Sequence, residues 1–187
     1  MTRIAAMAPP YQPEVQAQLE SMMPPGVPPI LLFRTFVKNL PMTKAMRGWG
    51  GYELGPQLSL SMREREIVID RTCARCGCEY EWSVHVLFFA ERVGLTGEQI
   101  TSIVYGDAGD PCWTSRRERI LLRAVDMLHD TSDLDDELWT ELRAELDEAA
   151  LLDLLLLCGW YHAISFAANG ARVPLEAGAP TFASAAR

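Results

Sequence analysis

Residues 149–168 read AALLDLLLLCGWYHAISFAA, a run about five helical turns long with one charged position. Such a run either crosses a bilayer or forms the buried axis of a helical domain. Asp153, His162 and Ser165 interrupt it, and polar groups suit a packed core better than lipid. The expectation is therefore a core helix with no membrane partner, which needs other apolar helix faces to cover it.

The rest of the chain supplies them. A first helix is expected over 11–23, with Val15 and Leu19 at the i, i+4 spacing. Pro24, Pro25, Pro28 and Pro29 forbid its continuation. Residues 1–29 read as an arm that lies over the body, reaches a neighbouring subunit or stays loosely ordered. Helical patterning begins at Ile30 and restarts at Pro41, while Gly48, Gly50, Gly51 and Gly55 are expected to loosen the chain before Leu60. Ser61 with Glu64 forms a capping box opening a buried helix to about Cys76, where Gly77 breaks it. A helix over 78–93 follows, with Trp82, Val86 and Phe89 on its apolar stripe and Gly94 beyond its end. Thr96, then Thr114 or Ser115, then Asp133 and Asp147 cap four more segments. The tail, with Pro174 and Pro180, is expected to be extended. No alternating strand pattern occurs, so the class is all-α, a bundle of antiparallel neighbours over 30–187.

The formal net charge of −8 and the absence of a basic run argue against nucleic acid as a partner. Five cysteines, an odd number, with no secretion-type apolar core in the first ten residues, argue against a disulfide framework and for a reduced cytoplasmic setting.

The densest reactive cluster is residues 73–85, CARCGCEYEWSVH. After Gly77, residues Cys78, Glu81 and His85 fall at i, i+3 and i+7 on one helix face. Glu81 can orient the His85 imidazole and raise its basicity. Cys78 in the first turn would have its thiolate favoured by the helix dipole and opposed by Glu79 and Glu81. The competing reading is a buried cysteine and a hydrogen-bonded histidine with no chemistry. Tyr80, Trp82 and His162 are candidate pocket walls, with core packing as the alternative for each. His129 reads as structural, complementing a helix C-terminus. Cys73 and Cys76 form an upstream Cys-x-x-Cys best read as packing. Cys73, Cys76, Cys78 and His85 crowd one helix end too closely for zinc spacing, so no metal is expected.

The segments Arg63-Glu-Arg-Glu-Ile-Val-Ile, Cys76-Gly-Cys-Glu-Tyr-Glu-Trp, His85 and Gly94-Leu-Thr resemble the carboxymuconolactone decarboxylase-like family, which includes the alkylhydroperoxidase D (AhpD) proteins. Trp160-Tyr-His-Ala-Ile, Asn169 and Val173-Pro-Leu-Glu extend the resemblance to roughly residues 30–180. It implies an all-helical, AhpD-like fold and a homo-oligomer (trimer, hexamer or dimer) with sites near subunit contacts. In the peroxidase branch a Glu, a Cys-x-x-Cys pair and a His form the site. These map to Glu66, Cys78, Glu81 and His85, so Glu81 stands where the resolving cysteine would be. A carboxylate cannot resolve a sulfenic acid as a thiol does. The first expectation is thus a cofactor-free enzyme using Glu66, Glu81 and His85 for acid–base chemistry on a small lactone or carboxylate, with Cys78 shaping the pocket. A thiol peroxidase using Cys78 is the second, and a non-catalytic oligomer the third.

Overall fold

The computed structural model describes residues 1–186, which hold ten α-helices and no β-strand. In order these are α1 (Pro13–Ser21), α2 (Leu31–Phe36), α3 (Leu40–Glu53), α4 (Met62–Arg75), α5 (Glu79–Phe89), α6 (Gly97–Tyr105), α7 (Arg116–Thr131), α8 (Asp136–Glu145), α9 (Glu148–Ala171) and α10 (Phe182–Ala185). A 3-10 turn at Val37–Asn39 links α2 to α3.

The central helix is α4, packed on α5, α6, α7 and α9. Every residue from Arg65 to Cys73 is buried, including Glu66, Asp70 and Arg71. Ile67, Val68, Ile69 and Cys73 supply its apolar contacts. Arg71 is satisfied by Asp126 and by the carbonyls of Ile103 and Gly106 at the end of α6. The middle of the bundle is therefore polar by design of its sequence, and its buried carboxyls need an explanation.

The capping chemistry follows the sequence. Ser61 with Glu64 and Thr96 with Gln99 close reciprocal capping boxes, and Ser115 and Asp147 cap α7 and α9. Several boundaries differ, among them that the helix expected over 78–93 ends at Phe89 and gives way to a turn up to Gly94. The glycines at 48, 50 and 51 lie inside α3 and do not loosen it; Gly50 sits in van der Waals reach of the Trp160 side chain of α9, where a Cβ would be 3.6 Å away, while Gly48 and Gly51 face open space. Asp135, not Asp133, caps α8, its carboxylate accepting from the Leu138 amide. The tail carries α10, capped by Thr181.

The arm lies over the body. Met7 exchanges two hydrogen bonds with Arg34, and Val15 and Leu19 of α1 pack on Val37. Helix α9 is the one described helix long and apolar enough to cross a membrane. It packs through Leu151, Leu154, Leu157, Tyr161 and Ile164, while Leu152, Leu156 and Phe166 face outward.

Candidate active site

The site is made by the way α4 stops. Cys76 is its C-cap, Gly77 takes φ +59°, and the Cys78 amide reaches back to the Cys73 carbonyl at 2.8 Å. With Gly77 N–H bonded to the Ala74 carbonyl, this is a Schellman closure, which glycine adopts without Cβ strain. The chain reverses within three residues, and α5 returns along α4. His85 is thereby brought against Glu66, 19 positions earlier.

His85 Nδ1 lies 2.7 Å from Glu66 Oε2, and Nε2 lies 3.0 Å from the Tyr161 hydroxyl of α9. In the neutral imidazole this fixes one tautomer: Nδ1–H donates to Glu66, and Nε2 accepts from Tyr161. Glu66 is held in turn by Arg65, whose Nε donates to Oε1 at 2.7 Å and whose Nη1 donates to the Leu54 carbonyl. Glu81 approaches His85 Nε2 to 4.0 Å, and its Oε1 has no hydrogen-bond partner among the described residues. Asp70, one turn beyond Glu66, is buried with both oxygens unpartnered.

These neighbours set the protonation chemistry. Burial pulls the His85 imidazole down, but Glu66, by charge and hydrogen bond, with Glu81 and Asp70 behind it, leaves it above the ordinary histidine value. Burial pushes the Glu81 carboxyl up to about 7, with His85 pulling back. Burial and the Glu66 charge push Asp70 well above the carboxylate range. Tyr161 is likewise pushed well above the ordinary phenol value by burial and by Glu81 and Glu66, so it stays a donor.

Glu81 and His85 form one end of a cavity of about 640 Å³, within the range of small-molecule sites. Its wall is mostly apolar, with Phe33, Phe36, Phe88, Phe89, Trp160 and Ile164 as the largest elements, and Arg47 and Arg92 are its cationic groups. Met22, Met23, Pro24 and Val27, from the end of the arm, also border it. The end of the arm is thus part of the cavity wall.

Cys78 is not in that wall. It is fully buried at the start of α5, and burial pushes its thiol up to about 11, although the Glu81 backbone amide and Ser165 pull down. The shared face of Cys78, Glu81 and His85 therefore reaches the cavity only through its last two members. Tyr80, Trp82 and His162 also lie elsewhere. Tyr80 donates to Glu176 at 2.6 Å and accepts from the Leu32 amide, tying the tail to α2. Trp82 packs on Phe182 of α10. His162 meets His129. Tyr161, Asp70, Arg65 and Arg92 are the residues that sequence reasoning missed. Asp70 carried a readable signal, four residues after Glu66 on the same helix face; the others depend on how α4, α5 and α9 pack.

The carboxymuconolactone decarboxylase family model matches residues 41–121. No curated protein matches the chain. Among solved structures, an uncharacterised peroxidase-related protein from Silicibacter sp. TM1040 superposes with a TM-score of 0.77 at 17% identity, covering 93% of each chain. A protein of unknown function from Agrobacterium tumefaciens, suggested to be the antioxidant defence protein AhpD, gives 0.67 at 21% identity over 75% of this chain and 95% of its own. The debrominase Bmp8 in its apo form gives 0.71 at 17% identity over 95% and 94%. At these identities the structures establish the fold, and the family match covers α3 to the start of α7, including Glu66, Cys78, Glu81 and His85. Residues 41–121 therefore match the carboxymuconolactone decarboxylase family model, and the chain as a whole shares the helical fold of these solved structures.

Proposed function

We propose that the protein is an enzyme that moves protons on a small oxygenated organic acid or lactone, using Glu81 and His85 at the end of the cavity. The observation that carries this is Glu81: a carboxyl lifted to about 7, unpartnered at Oε1, lining a cavity beside a histidine. A group that titrates near neutral pH is suited to both taking and returning a proton. The apolar wall fits a hydrocarbon body, and Arg92 or Arg47 fits a carboxylate or lactone oxygen.

In this reading Glu81 takes a proton from carbon next to the substrate carbonyl. His85, protonated and held at Nδ1 by Glu66, gives its Nε2 proton to the oxygen on which charge develops. Glu81 then returns its proton to a substrate carbon and His85 takes its own back as the carbonyl re-forms, so both groups end as they began. The Tyr161 hydroxyl keeps its proton and hydrogen-bonds the neutral Nε2. Arg65 fixes Glu66, and through it the ring; it is a positioning residue. No further group is needed to hold the negative charge if the substrate's own carbonyl does so.

The peroxidase alternative is supported by the names of two of the solved structures. Its burden is Cys78, which is sealed from the cavity, disfavoured as a thiolate and has Glu81 where a resolving thiol would stand. The outward Leu152, Leu156 and Phe166 on α9 support a homo-oligomer, which light scattering of the purified chain tests.

The deciding assay is turnover of a panel of lactones and β-keto acids by the wild type, Glu81→Gln and His85→Gln. Loss of turnover in both variants is expected. Full turnover by both, or none by the wild type together with rapid Cys78 oxidation by peroxide, rejects the acid–base reading.

A further inference from the structure

Three elements distant in sequence bring Cys76, His129 and His162 together. Cys76 caps the end of α4, His129 is in the last turn of α7, and His162 is in the middle of α9. One ligand atom from each lies within 4.8 Å of the other two, and all three residues are partly open to solvent. Cys76 Sγ is 3.9 Å from His129 Nδ1, and that nitrogen is 3.0 Å from His162 Nε2. Tetrahedral zinc, with bonds of about 2.05 Å to nitrogen and 2.3 Å to sulfur, places its ligand atoms about 3.4 Å (N···N) and 3.6 Å (S···N) apart. Both separations come within about 0.4 Å of that geometry, less than a side-chain torsion supplies.

The histidines are also set up as ligands. His162 Nδ1 donates to the Cys158 carbonyl at 2.8 Å. That bond fixes the tautomer and leaves the Nε2 lone pair facing the cluster, the second-shell arrangement typical of metal-bound histidine. Arg75 is paired with Asp126 and Asp130, which offsets its charge near an incoming cation. The Asn169 side chain donates to the Cys76 carbonyl and fixes the backbone that carries the thiol.

We infer that Cys76, His129 and His162 form a site for a borderline-soft divalent cation of the zinc class, with a fourth position open to solvent. On binding, the Cys76 S–H proton is released to water and the sulfur–metal bond forms. His129 moves its proton from Nδ1 to Nε2, and its Nδ1 lone pair joins that of His162 on the ion. No oxidation or reduction is involved. Two imidazoles and one thiolate favour zinc or cobalt over calcium or magnesium, which require oxygen ligands. The site does not use the Glu81–His85 cavity and stands whether or not that cavity is catalytic.

The test uses the full reduced chain, stripped of metal with a chelator that is then removed. Anaerobic titration with Co²⁺ should produce a thiolate-to-cobalt charge-transfer band and tetrahedral d–d absorption, saturating at one ion per chain and erased by Zn²⁺. Cys76→Ser should lose the charge-transfer band. His129→Gln and His162→Gln should each weaken binding by roughly tenfold or more. Cys78→Ser and Cys112→Ser should keep the band. Zn²⁺ should also raise the Tm of the wild type but not of His129→Gln, a readout that does not depend on the cysteine variant folding. No band with the wild type, or a band that survives Cys76→Ser or disappears with Cys78→Ser or Cys112→Ser, overturns the site.

Discussion

His85 is 4% exposed and has three carboxyl groups around it, whereas His129 and His162 stand half-buried beside a thiol and an arginine. The same side chain is driven in opposite directions by these settings. Glu66, Glu81 and Asp70 raise the His85 imidazole, which suits the proposed proton transfer; burial, His162 and Arg75 lower His129, which suits the proposed lone-pair donation. Burial alone would lower both. The lesson is that the carboxyl partners, and not depth, decide what a histidine in this bundle can do.

The largest effect that should separate the two settings is on turnover. His85→Gln should cut the rate on an accepted lactone or keto acid by about 10²–10⁴-fold, the range expected for loss of a positioned acid–base group. It should leave the Co²⁺ band unchanged. His162→Gln should do the reverse. Initial rates and cobalt titration on the same two preparations check the pair, and an effect of either variant on both readouts would break the division.

Stability against pH sharpens the contrast next. The Glu81 carboxyl is carried from 4.5 to about 7 by burial, so folding favours its protonated form. A group raised in this way contributes its stability below pH 4.5 and loses it as pH rises through 7. At pH 8 the buried charge costs about 3 kcal/mol by the size of that change. Glu81→Gln, which removes the charge and keeps the shape, should therefore stabilise the chain by up to about 3 kcal/mol at pH 8 and by little at pH 4. Urea melts at the two pH values measure it. Equal stabilisation at both would mean that Glu81 is not held against its charge. His85 and Asp70 are also raised, so the wild type itself should lose stability toward alkaline pH.

The fold was largely readable because helix ends are written locally. Ser61 with Glu64, Thr96 with Gln99, and Asp147 each carry their own capping chemistry, and Gly77 marks the one break that matters. Of the glycines in α3, Gly50 lies against Trp160, more than a hundred residues away, a contact no local pattern could show. The site divides in the same way. His85 and Glu81 lie four apart on one helix and Glu66 followed from the family pattern. Tyr161 and Arg92 needed the packing of α9 and α5. Helical spacing put Cys78 on the face of Glu81 and His85, yet the sharp turn at Gly77 buries it at the head of α5, where spacing carries no information about depth. The Cys76–His129–His162 cluster is wholly tertiary: its members lie 53 and 33 positions apart along the chain.

Cys78 gives a smaller and more selective test, because it stands three residues before Glu81 at the head of α5. A thiol moved from 9.0 to about 11 has about a hundredfold less thiolate at pH 7 than an ordinary cysteine. Under a brief peroxide pulse Cys78 should therefore oxidise at least about a hundredfold more slowly than free cysteine. The half-exposed Cys76 should be modified first, and Zn²⁺ should protect it. Peptide mass spectrometry with time reads both. Fast formation of sulfenic acid at Cys78 would move the Glu81–His85 site back toward peroxide chemistry.

The smallest expected effect tests how His85 is held. Tyr161 O–H donates to Nε2 across 3.0 Å, and its ring meets the imidazole edge-on. Tyr161→Phe keeps the ring and removes only the donor, so it should cost about 1 kcal/mol of stability, the net value of one buried hydrogen bond. It should also favour the imidazolium, since the neutral ring loses the proton donated to its Nε2. The basic limb of the pH–rate profile should then move to higher pH, with KM little changed. An unmoved limb with the same loss of stability would assign Tyr161 to packing.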